Sequence, residues 1–569
     1  MLGWLASLRD AQGRIVCPEH GLEHTGKSAY AIVLSCELLK HDAGADRARL
    51  VALAREQGRR LVANLVREGD SPCHTFRPGR HDPYNCSNSV IDGGACSDAL
   101  AQLVRELGSE LPESEREAAR AASLLHARTY LRYAVLDKGI PAQRAWGLTG
   151  LAGAWSLEPD PELERAAIEA VGVLEGIQHA DGSFPYHPLE WGAAHPGESD
   201  VSSFYHSRIP GFLIHALELL GRDPRDALFR GPILRALEYL LALVGPDGKK
   251  PGLVEAKPWY WGAEYEVASH PFDVHALASG WRLFGRASLG RAARASFRAW
   301  VAHLGRDGQP ASHAAGPGRG KSYQCPLFWA AHAAWIARAA RDLAGCLALP
   351  EPEPPGRDAI EVGVSWFADA QLARLEDAGV IAWLRGARPA VNVHHGSPRG
   401  AGLVRVWSKR EQRELLAAAG EAEWAGRAGG FAPGRGWRSG ARELRFSLWL
   451  ARVDWRGGRR AAALARPARV FSRGVLDYAG AQVSSAFDLA PRVSVLPDGL
   501  QIESRLAHRD GSALPASRLV RSFRIGGGAL EVDERLVDAG GAAAVEYHVP
   551  TAARQLVREA GHVRYLLGS

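Results

Sequence analysis

One loop of the sequence concentrates side chains that can move protons and bind an acidic group. It reads DGSFPYHPLEWGAAHPGESDVSSFYHSR and supplies His187, Tyr205, His206 and Arg208. If the end of this loop forms the first turn of a helix, Tyr205 and Arg208 lie three residues apart and share one side of that helix. Tyrosine and histidine can donate and accept protons, and arginine can hydrogen-bond a carboxylate. The loop therefore brings acid–base groups and a cation into one short segment.

These residue types meet the needs of β-elimination from a uronate sugar. That reaction needs neutralisation of the carboxylate, a base for the C5 proton and an acid for the leaving oxygen. Asn88, in the segment PYNCSNSVIDGGACSDAL, adds a neutral hydrogen-bond donor for the carboxylate. The predicted catalytic residues are Tyr205, His206, His187, Asn88 and Arg208. Each of them alone has an ordinary structural alternative, since a tyrosine or histidine can wedge the mouth of a helical bundle and asparagine is a favoured N-cap.

Other loops supply polar and aromatic residues that fit a sugar-binding cleft. The residues expected to contact substrate are Trp191, Trp261, His270, Tyr323 and His395. The first four follow turns in the first 345 residues, where long loops would line one cleft. His395 lies beside His394 in the segment NVHHGSPRGAG of the second half of the chain, and it would contact substrate if this pair faces the same mouth. The alternative is a surface position at the end of a strand.

A repeated turn indicates how these loops are positioned. Acid-plus-glycine turns recur near Gly13, Asp70, Gly139, Gly182, Gly248 and Gly308. An amphipathic helical segment precedes each turn, and a long loop and a second helical run that is apolar nearly all round follow it. The second runs begin near Lys27, Cys86, Ala142, Phe204, His270 and Tyr323. The pattern predicts an (α/α)6 toroid of six helical hairpins with all long loops at one end, and an open solenoid is the alternative.

Hydrophobic residues in the second half of the chain recur with a different period. The proline-rich stretch LPEPEPPGR cannot continue a helix, and beyond it short alternating segments are separated by Gly, Asp and Asn turns. Examples are GVIAWLRG, GLVRVWS, LRFSLWLARV, DGLQIESRL, RLVRSFRI and ALEVDERLV. The sequence thus predicts an α+β multidomain protein: a toroid over 1–348, a linker over 349–358 and an antiparallel β-sandwich over 359–569.

Composition narrows the class of protein. With 569 residues the chain is too long for one core, and 46% hydrophobic residues are typical of globular domains. A net charge of +6, scattered along the chain, does not indicate nucleic-acid binding, and no apolar run is long enough to span a membrane. Seven cysteines without C-x-x-C spacing argue against a dense disulfide framework. We expect a soluble protein, with the cytoplasm preferred over the periplasm or secretion.

No cofactor is expected, although two segments carry ligand types that a structural divalent metal accepts. The first, CPEHGLEH, contains Cys17, His20 and His24. The second contains Cys73, His74, His81 and Cys86. Neither has the paired spacing of a zinc finger.

The order of a toroid and then an antiparallel β domain resembles the polysaccharide lyases of the heparinase II/III-like and chondroitin or hyaluronate lyase superfamily. The segment DGSFPYH, followed by a tyrosine at the start of an inner helix, is similar to the DGSF-x-x-H and tyrosine arrangement of the chondroitin and hyaluronate lyases. The resemblance implies that His187 and Tyr205 are the base and acid, with Asn88 and Arg208 neutralising the carboxylate. The spacing from His187 to Tyr205 is about twice the one expected, so His206 is an alternative for the histidine. PYNCSNS replaces the tryptophan-rich segment that usually carries the asparagine.

The sequence also fits two other enzyme activities and a glycan-binding function. A glycoside hydrolase on the same toroid would use two carboxylates. Its candidates are Glu190, Glu198, Asp200, Glu255, Glu264, Glu266 and Asp273. A uronate epimerase shares the first proton abstraction, and a glycan-binding protein would keep the fold without chemistry. An acidic polysaccharide is the expected partner in the lyase reading.

Overall fold

A computed structural model describes most of the chain. The described residues are 1–16, 23, 25–67, 74–75, 90–137, 140–185, 201–251, 269–305, 308, 326–350, 363–387, 400–416, 421–428, a few positions between 448 and 468, 482–508 and 511–568; the side chains of 66–67, 74–75 and 326–330 are not described. Contacts divide the chain into two compact units, Met1–Glu190 with Phe204–Leu241 and Glu264–Leu349, and Trp191–Ser203 with Ala242–Ala263 and Pro350–Ser569. A helical N-terminal part and a C-terminal part of strands are thus confirmed.

The first unit contains one set of helices that is buried on almost every side, which we call the inner helices. They are α2 (Thr25–His41), α4 (Ile91–Leu107), α7 (Pro141–Trp155), α10 (Arg208–Leu219), α12 (His270–Phe284) and α14 (Pro326–Arg338). The remaining helices are α1 (Leu2–Ser7), α3 (Arg47–Ala63), α5 (Glu113–His126), α6 (Arg132–Asp137), α8 (Pro161–Ile177), α9 (Ser203–His206), α11 (Ala227–Leu243), α13 (Ala287–Val301) and α15 (Ala340–Leu347). A short hairpin of β1 (Val66–Arg67) and β2 (His74–Thr75) precedes α4. The long amphipathic helices such as α3 and α13 bury one face only, as a helix between core and solvent does.

Contacts among the inner helices form a closed cycle. Each inner helix contacts the next one along the chain, and α14 contacts α2. The last contact includes a hydrogen bond of 3.1 Å from Trp335 Nε1 to Tyr30 Oη. An open solenoid would leave the first and last inner helices apart, so the cycle favours the closed alternative. Glycine allows the closest approach, because a Cβ added to Gly150 of α7 would lie 2.5 Å from the carbonyl oxygen of Gly94 of α4.

Two starts of inner helices differ from the sequence expectation. The run predicted to begin near Phe204 is split into α9 and α10, since Pro210 lacks the N–H that would bond to the carbonyl of His206. For the run predicted near Cys86, α4 begins at Ile91, and Cys86 itself lies outside the described residues. The start of α12 at His270 is as predicted.

The acid-plus-glycine turns share one geometry wherever the structure describes them. Each glycine has a positive φ, 75° at Gly13, 87° at Gly182, 78° at Gly248 and 75° at Gly308. The backbone N–H of each glycine donates to the carbonyl oxygen three residues before it. Where the aspartate of the turn is also described, its carboxylate accepts a hydrogen bond from the backbone N–H of the residue two positions after it. Tight turns typically contain a glycine with positive φ and an aspartate whose carboxylate accepts a hydrogen bond from a later backbone N–H. The repeat seen in the sequence is therefore a structural repeat. The predicted turn at Asp70, and Gly139 of the predicted turn that follows Asp137, lie outside the described residues.

Three antiparallel sheets make up the described strands of the second unit. Five strands pair in the order β3 (Gly363–Phe367), β4 (Leu372–Glu376), β5 (Val380–Arg385), β6 (Gly402–Ser408) and β7 (Arg413–Glu414). Four pair in the order β12 (Ala507–His508), β9 (Gln482–Ser484), β8 (Glu423–Arg427) and β15 (Ala543–His548). Six pair in the order β10 (Arg492–Leu496), β11 (Gly499–Ser504), β13 (Arg518–Gly526), β14 (Ala529–Asp538), β17 (His562–Gly568) and β16 (Arg554–Glu559). Strands were predicted at β5, β6, β11, β13 and β14, but the described residues of LRFSLWLARV, Leu448, Ala451 and Arg452, are helical, as good helix formers can be.

One core joins these three sheets. Val406 of β6, Trp424 of β8 and Phe523 of β13 belong to a single cluster of buried apolar residues. Inside it, Arg521 Nη2 donates a hydrogen bond of 3.0 Å to Glu534 Oε1, and both side chains are fully buried. A buried ion pair needs such hydrogen-bonded partners to offset the loss of hydration.

The described residues include three cysteines. Cys36, Cys96 and Cys346 are buried free thiols. Within the described ranges, no helix combines the length and the apolar character that a membrane span requires.

Candidate functional site

The first or second turns of four inner helices, α2, α7, α10 and α12, lie together in the helical unit. Tyr30, Trp146, Phe212 and Phe272 occupy the first or second turn of four inner helices, and their rings contact one another or contact Trp335. We call these five side chains the aromatic layer. Because the first turns lie together, polar residues that precede the layer on each helix are brought to a common region.

Tyr205 and Arg208 lie together in this region. Tyr205 is half-buried, whereas Arg208 is 1% exposed, with its guanidinium carbon 4.8 Å from the centre of the Tyr205 ring. The same guanidinium lies 3.9 Å from the ring of Phe204 and 4.1 Å from that of Phe272, and it donates to the carbonyl of Phe204. Stacking on aromatic faces fixes a guanidinium without using all its donors. Tyr205 lies on α9 and Arg208 on α10, so the two side chains contact each other across the break between these helices rather than along one helix.

His206 is directed toward α11. Its Nε2 donates to the carbonyl of Ala236 at 2.8 Å, and its ring packs edge-on against Tyr239 with centres 4.8 Å apart. The ring of Phe184 lies 5.9 Å from the His206 ring, centre to centre. The contacts with Ala236 and Tyr239 anchor α9 to α11, while the neighbouring Tyr205 contacts Arg208.

His270 and Asp273 form a buried pair in the first turn of α12. His270 Nδ1 lies 3.7 Å from Asp273 Oδ2, and Ser269 Oγ lies 3.4 Å from the same oxygen. Asp273 is fully buried. A carboxylate at this distance from an imidazole favours a ring orientation with Nδ1 toward it. His270, expected to bind substrate, therefore has a partner that can orient it.

Lys27 is a buried cation that the sequence reasoning did not select. It lies in the first turn of α2, is 1% exposed, and places Nζ 4.6 Å from the centre of the Trp146 ring. The guanidinium carbon of Arg208 lies 5.7 Å from the ring of Trp146 as well. A lysine in an otherwise apolar inner helix was the available signal, since fully buried lysines are rare.

The aromatic layer separates this region from a second polar cluster. Both Trp146 Nε1 and Trp335 Nε1 donate to Tyr30 Oη, at 3.0 and 3.1 Å, so three inner helices meet at one hydroxyl. Desolvation raises the pKa of Tyr30, and the hydroxyl therefore stays neutral.

Beyond the layer, side chains of four inner helices form what we call the deep ionic cluster: Asp98, Gln102, His215, His275 and Arg338. Arg338 Nη1 lies 2.7 Å from Asp98 Oδ2, Arg338 Nη2 donates to Gln102 at 2.9 Å, and His215 Nε2 lies 3.3 Å from Asp98 Oδ1. Burial alone would raise the pKa of Asp98, but the charge of Arg338 and the interaction with His215 outweigh it and lower that pKa. Burial and then the charge of Arg338 lower the pKa of His215, and burial lowers that of His275 further. The cluster therefore consists of one ion pair with neutral histidines beside it.

Several predicted residues lie outside the described part of the chain. They are His187, Asn88, Trp191, Trp261, Tyr323 and His395. The candidate ligands of the two predicted metal-binding segments lie there as well, apart from the backbone of His74 in β2. Glu23 of the first segment is described, and its carboxylate pairs with Arg60. The described residues contain no group of three or more His, Cys, Asp or Glu side chains arranged to hold a metal ion.

Comparison with known proteins gives structural matches only. No family model and no curated protein matches the sequence. The chondroitin AC lyase of Streptomyces coelicolor A3 matches at 14% identity and a TM-score of 0.49, over 96% of this chain and 73% of that one. Cellobiose 2-epimerase of Spirochaeta thermophila matches at 13% and 0.43, over 61% and 94%, and a family 88 glycosyl hydrolase of Bacteroides vulgatus at 11% and 0.40, over 56% and 92%. A chondroitin lyase is thus among the structures that this chain resembles, as the sequence resemblance implied, but scores this low assign no activity.

Proposed function

We propose that this protein is a polysaccharide lyase that cleaves a uronate-containing polymer by β-elimination. The observation that carries the proposal is the pairing of half-buried Tyr205 with buried Arg208 at the N-terminal end of the inner helices. A phenol that solvent can reach and a cation fixed beside it supply proton transfer and charge neutralisation within one sugar's reach. The proposed scaffold is the six-hairpin toroid over 1–348, followed by a linker and a β-sandwich over 359–569.

In the proposed reaction, the carboxylate at C5 is neutralised before the proton leaves. Arg208, with Asn88, binds that carboxylate, so charge that develops there as the C5 proton is removed is stabilised. The electron pair of the C5–H bond forms the C4–C5 double bond, the C4–O bond breaks, and the leaving oxygen takes a proton. Tyr205, half-buried against Arg208, is the residue proposed to transfer a proton at the sugar.

The two histidine candidates take different places in this proposal. His206 already uses Nε2 to hold the Ala236 carbonyl, and its ring is packed on α11. We assign it to positioning Tyr205 through the α9 anchor. The role of base or acid beside Tyr205 then belongs to His187, as the lyase resemblance implied.

A panel of polymers tests the reaction type. The purified protein is incubated with alginate, polygalacturonate, hyaluronan and chondroitin, and ultraviolet absorbance of the unsaturated uronate is followed beside reducing ends. Absorbance with new reducing ends supports the lyase. Reducing ends without absorbance would indicate the hydrolase, and an altered C5 configuration without cleavage the epimerase. Binding without any of these changes would indicate a glycan-binding protein.

Replacing Tyr205 tests its assigned role. We expect Tyr205→Phe to lower kcat by about 100- to 10,000-fold, the range of a lost acid–base group, without changing the circular dichroism spectrum. Tyr133→Phe is the matched control, because Tyr133 lies on α6 and is 52% exposed. A Tyr205→Phe protein that turns over like the Tyr133→Phe protein would remove Tyr205 from the mechanism.

A further inference from the structure

The helix that carries Tyr205 is very short. α9 spans four residues, from Ser203 to His206, and Tyr205 is the third of them. A helix of about one turn is marginal by itself, so contacts with other parts of the chain decide where it lies. His206 anchors the last residue of α9 to α11. The contacts of Ser203 therefore fix the other end of the segment that carries Tyr205.

Ser203 is held by the part of the chain that follows α11. Lys250 Nζ donates to the Ser203 carbonyl oxygen at 2.6 Å, and Ser203 Oγ donates to the Pro251 carbonyl oxygen at 3.2 Å. Lys250 is 5% exposed and Ser203 is fully buried. A hydrogen bond from an ammonium group is roughly twice as strong as one between neutral groups. Two hydrogen bonds in opposite directions thus tie the first residue of α9 to residues 250–251.

The turn that precedes Lys250 is fixed by a buried arginine of β6. Arg405 is 3% exposed, and it donates to the Lys249 carbonyl oxygen at 2.8 Å and to the Asp247 carboxylate at 2.6 Å. These residues belong to the second compact unit, as do Lys250 and Ser203. The contacts of Arg405 hold the turn without using the side chain of Lys250. That side chain is therefore presented to Ser203 from a fixed backbone.

We propose that Lys250 is a positioning residue for Tyr205 and holds the start of α9 so that the phenol stays at the sugar during proton transfer, an inference that rests on the proposed function. Tyr205 follows Ser203 by two residues, about 3 Å along a helix axis, so a movement of Ser203 carries the phenol with it. A misplacement of about 1 Å can cost about a hundredfold in rate. Arg208 begins the separate helix α10, so binding of the carboxylate depends less on this anchor.

Kinetics in two backgrounds test this role of Lys250. With the polymer that the protein cleaves, Lys250→Met is expected to lower kcat about ten- to a hundredfold and to leave KM unchanged. In the Tyr205→Phe background the same substitution should cause no further loss, because a residue that acts through Tyr205 has no phenol left to position. Lys249→Met, at the neighbouring exposed lysine of the same turn, is the matched control and should turn over like the parent protein. An equal loss in both backgrounds, or an unchanged kcat, would overturn the role of Lys250.

Fluorine NMR of protein labelled with 3-fluorotyrosine measures the placement of the phenol without any turnover. The resonance of Tyr205 is the one that disappears in Tyr205→Phe. Lys250→Met should shift or broaden that resonance, and Lys249→Met should leave it unchanged. An unchanged resonance in Lys250→Met would contradict the positioning role.

A milder substitution decides the test where Lys250→Met does not fold. Ser203→Ala loses only the hydrogen bond to the Pro251 carbonyl, and it should shift the resonance of Tyr205 and lower kcat less than Lys250→Met. A Tyr205 resonance that does not respond to Ser203→Ala would then overturn the anchor. A protein that forms no unsaturated product from any of the polymers, yet shifts this resonance in Lys250→Met, would refute the lyase and leave the positioning of Tyr205 standing.

Discussion

Removing Arg338 should destabilise the helical unit far more than removing a surface arginine. Arg338→Met would leave the carboxylate of Asp98, which is 1% exposed, with His215 as its remaining partner in the deep ionic cluster. Breaking a buried pair by deleting one member costs about 3–5 kcal/mol, because the other charge stays buried. The hydrogen bond of Arg338 to Gln102 is lost as well. We therefore expect about 3–5 kcal/mol less free energy of unfolding at pH 8.

The loss should shrink at acid pH, because His215 takes up a proton more readily when Arg338 is absent. In the parent protein burial and then the charge of Arg338 lower the pKa of His215, so stability falls as pH drops below the ordinary histidine range. Removing Arg338 takes away the second of these causes, so the pKa of His215 is higher in the variant than in the parent protein, although burial still lowers it. The variant therefore loses less stability than the parent protein as pH falls through the histidine range. The difference between the two proteins is therefore smaller at pH 5.5 than at pH 8.

Urea unfolding followed by the helical circular dichroism signal measures both effects. Arg282→Met is the control, since Arg282 is 39% exposed and its pairs with Glu218 and Asp342 are worth at most about 1 kcal/mol each. An Arg338→Met protein that loses no more stability than Arg282→Met would refute the cost assigned to the buried pair. A loss that is equal at both pH values would refute the part assigned to His215.

Further substitutions test packing in each unit. Gly150→Ala would place a methyl group 2.5 Å from a carbonyl oxygen of α4, and we expect a cost of about 1–3 kcal/mol in thermal melts. Gly172→Ala, whose added Cβ meets no atom within 4 Å, should instead stabilise α8 by up to about 1 kcal/mol, and equal melting shifts for the two would contradict this reasoning. Glu534→Gln should expose the β unit to limited proteolysis, because it leaves the buried guanidinium of Arg521 without its counter-charge. The Asp498→Asn protein, which loses only the exposed ion pair with Arg524, should be cleaved by the protease as slowly as the parent protein.

Much of the fold follows from patterns that depend on near neighbours in sequence. Helices that are apolar all round had to be buried on every side, and repeated Asp and Gly fixed the turns between them. The break between α9 and α10 was missed because the apolar pattern continues through it, although Pro210 marks it. The helical residues near Leu448 were missed because a short apolar run is ambiguous between helix and strand.

The site could be predicted only in part, because contacts across the cycle leave no local pattern. The proximity of Tyr205 and Arg208 was available from their spacing of three residues, although the structure places them on α9 and α10 and not on one helix. The direction of His206 depends on α11, which begins some 20 residues later in the chain. Asp98 and Arg338 each look like one polar residue in an apolar helix. Asp98 and Arg338 are separated by 240 positions in the sequence, so only the structure shows that they form a pair.

The hydroxyl of Tyr30, shared by two indoles, links the two polar sides of the aromatic layer. Lys27 Nζ lies 5.8 Å from the centre of the Tyr30 ring, and the guanidinium carbon of Arg338 lies 4.6 Å from the centre of the Trp335 ring, whose Nε1 donates to that hydroxyl. Energetic effects of substitutions that share a packed neighbour do not simply add. A substitution in the first turns that moves Tyr30 is therefore expected to change the stability contributed by the deep ionic cluster as well.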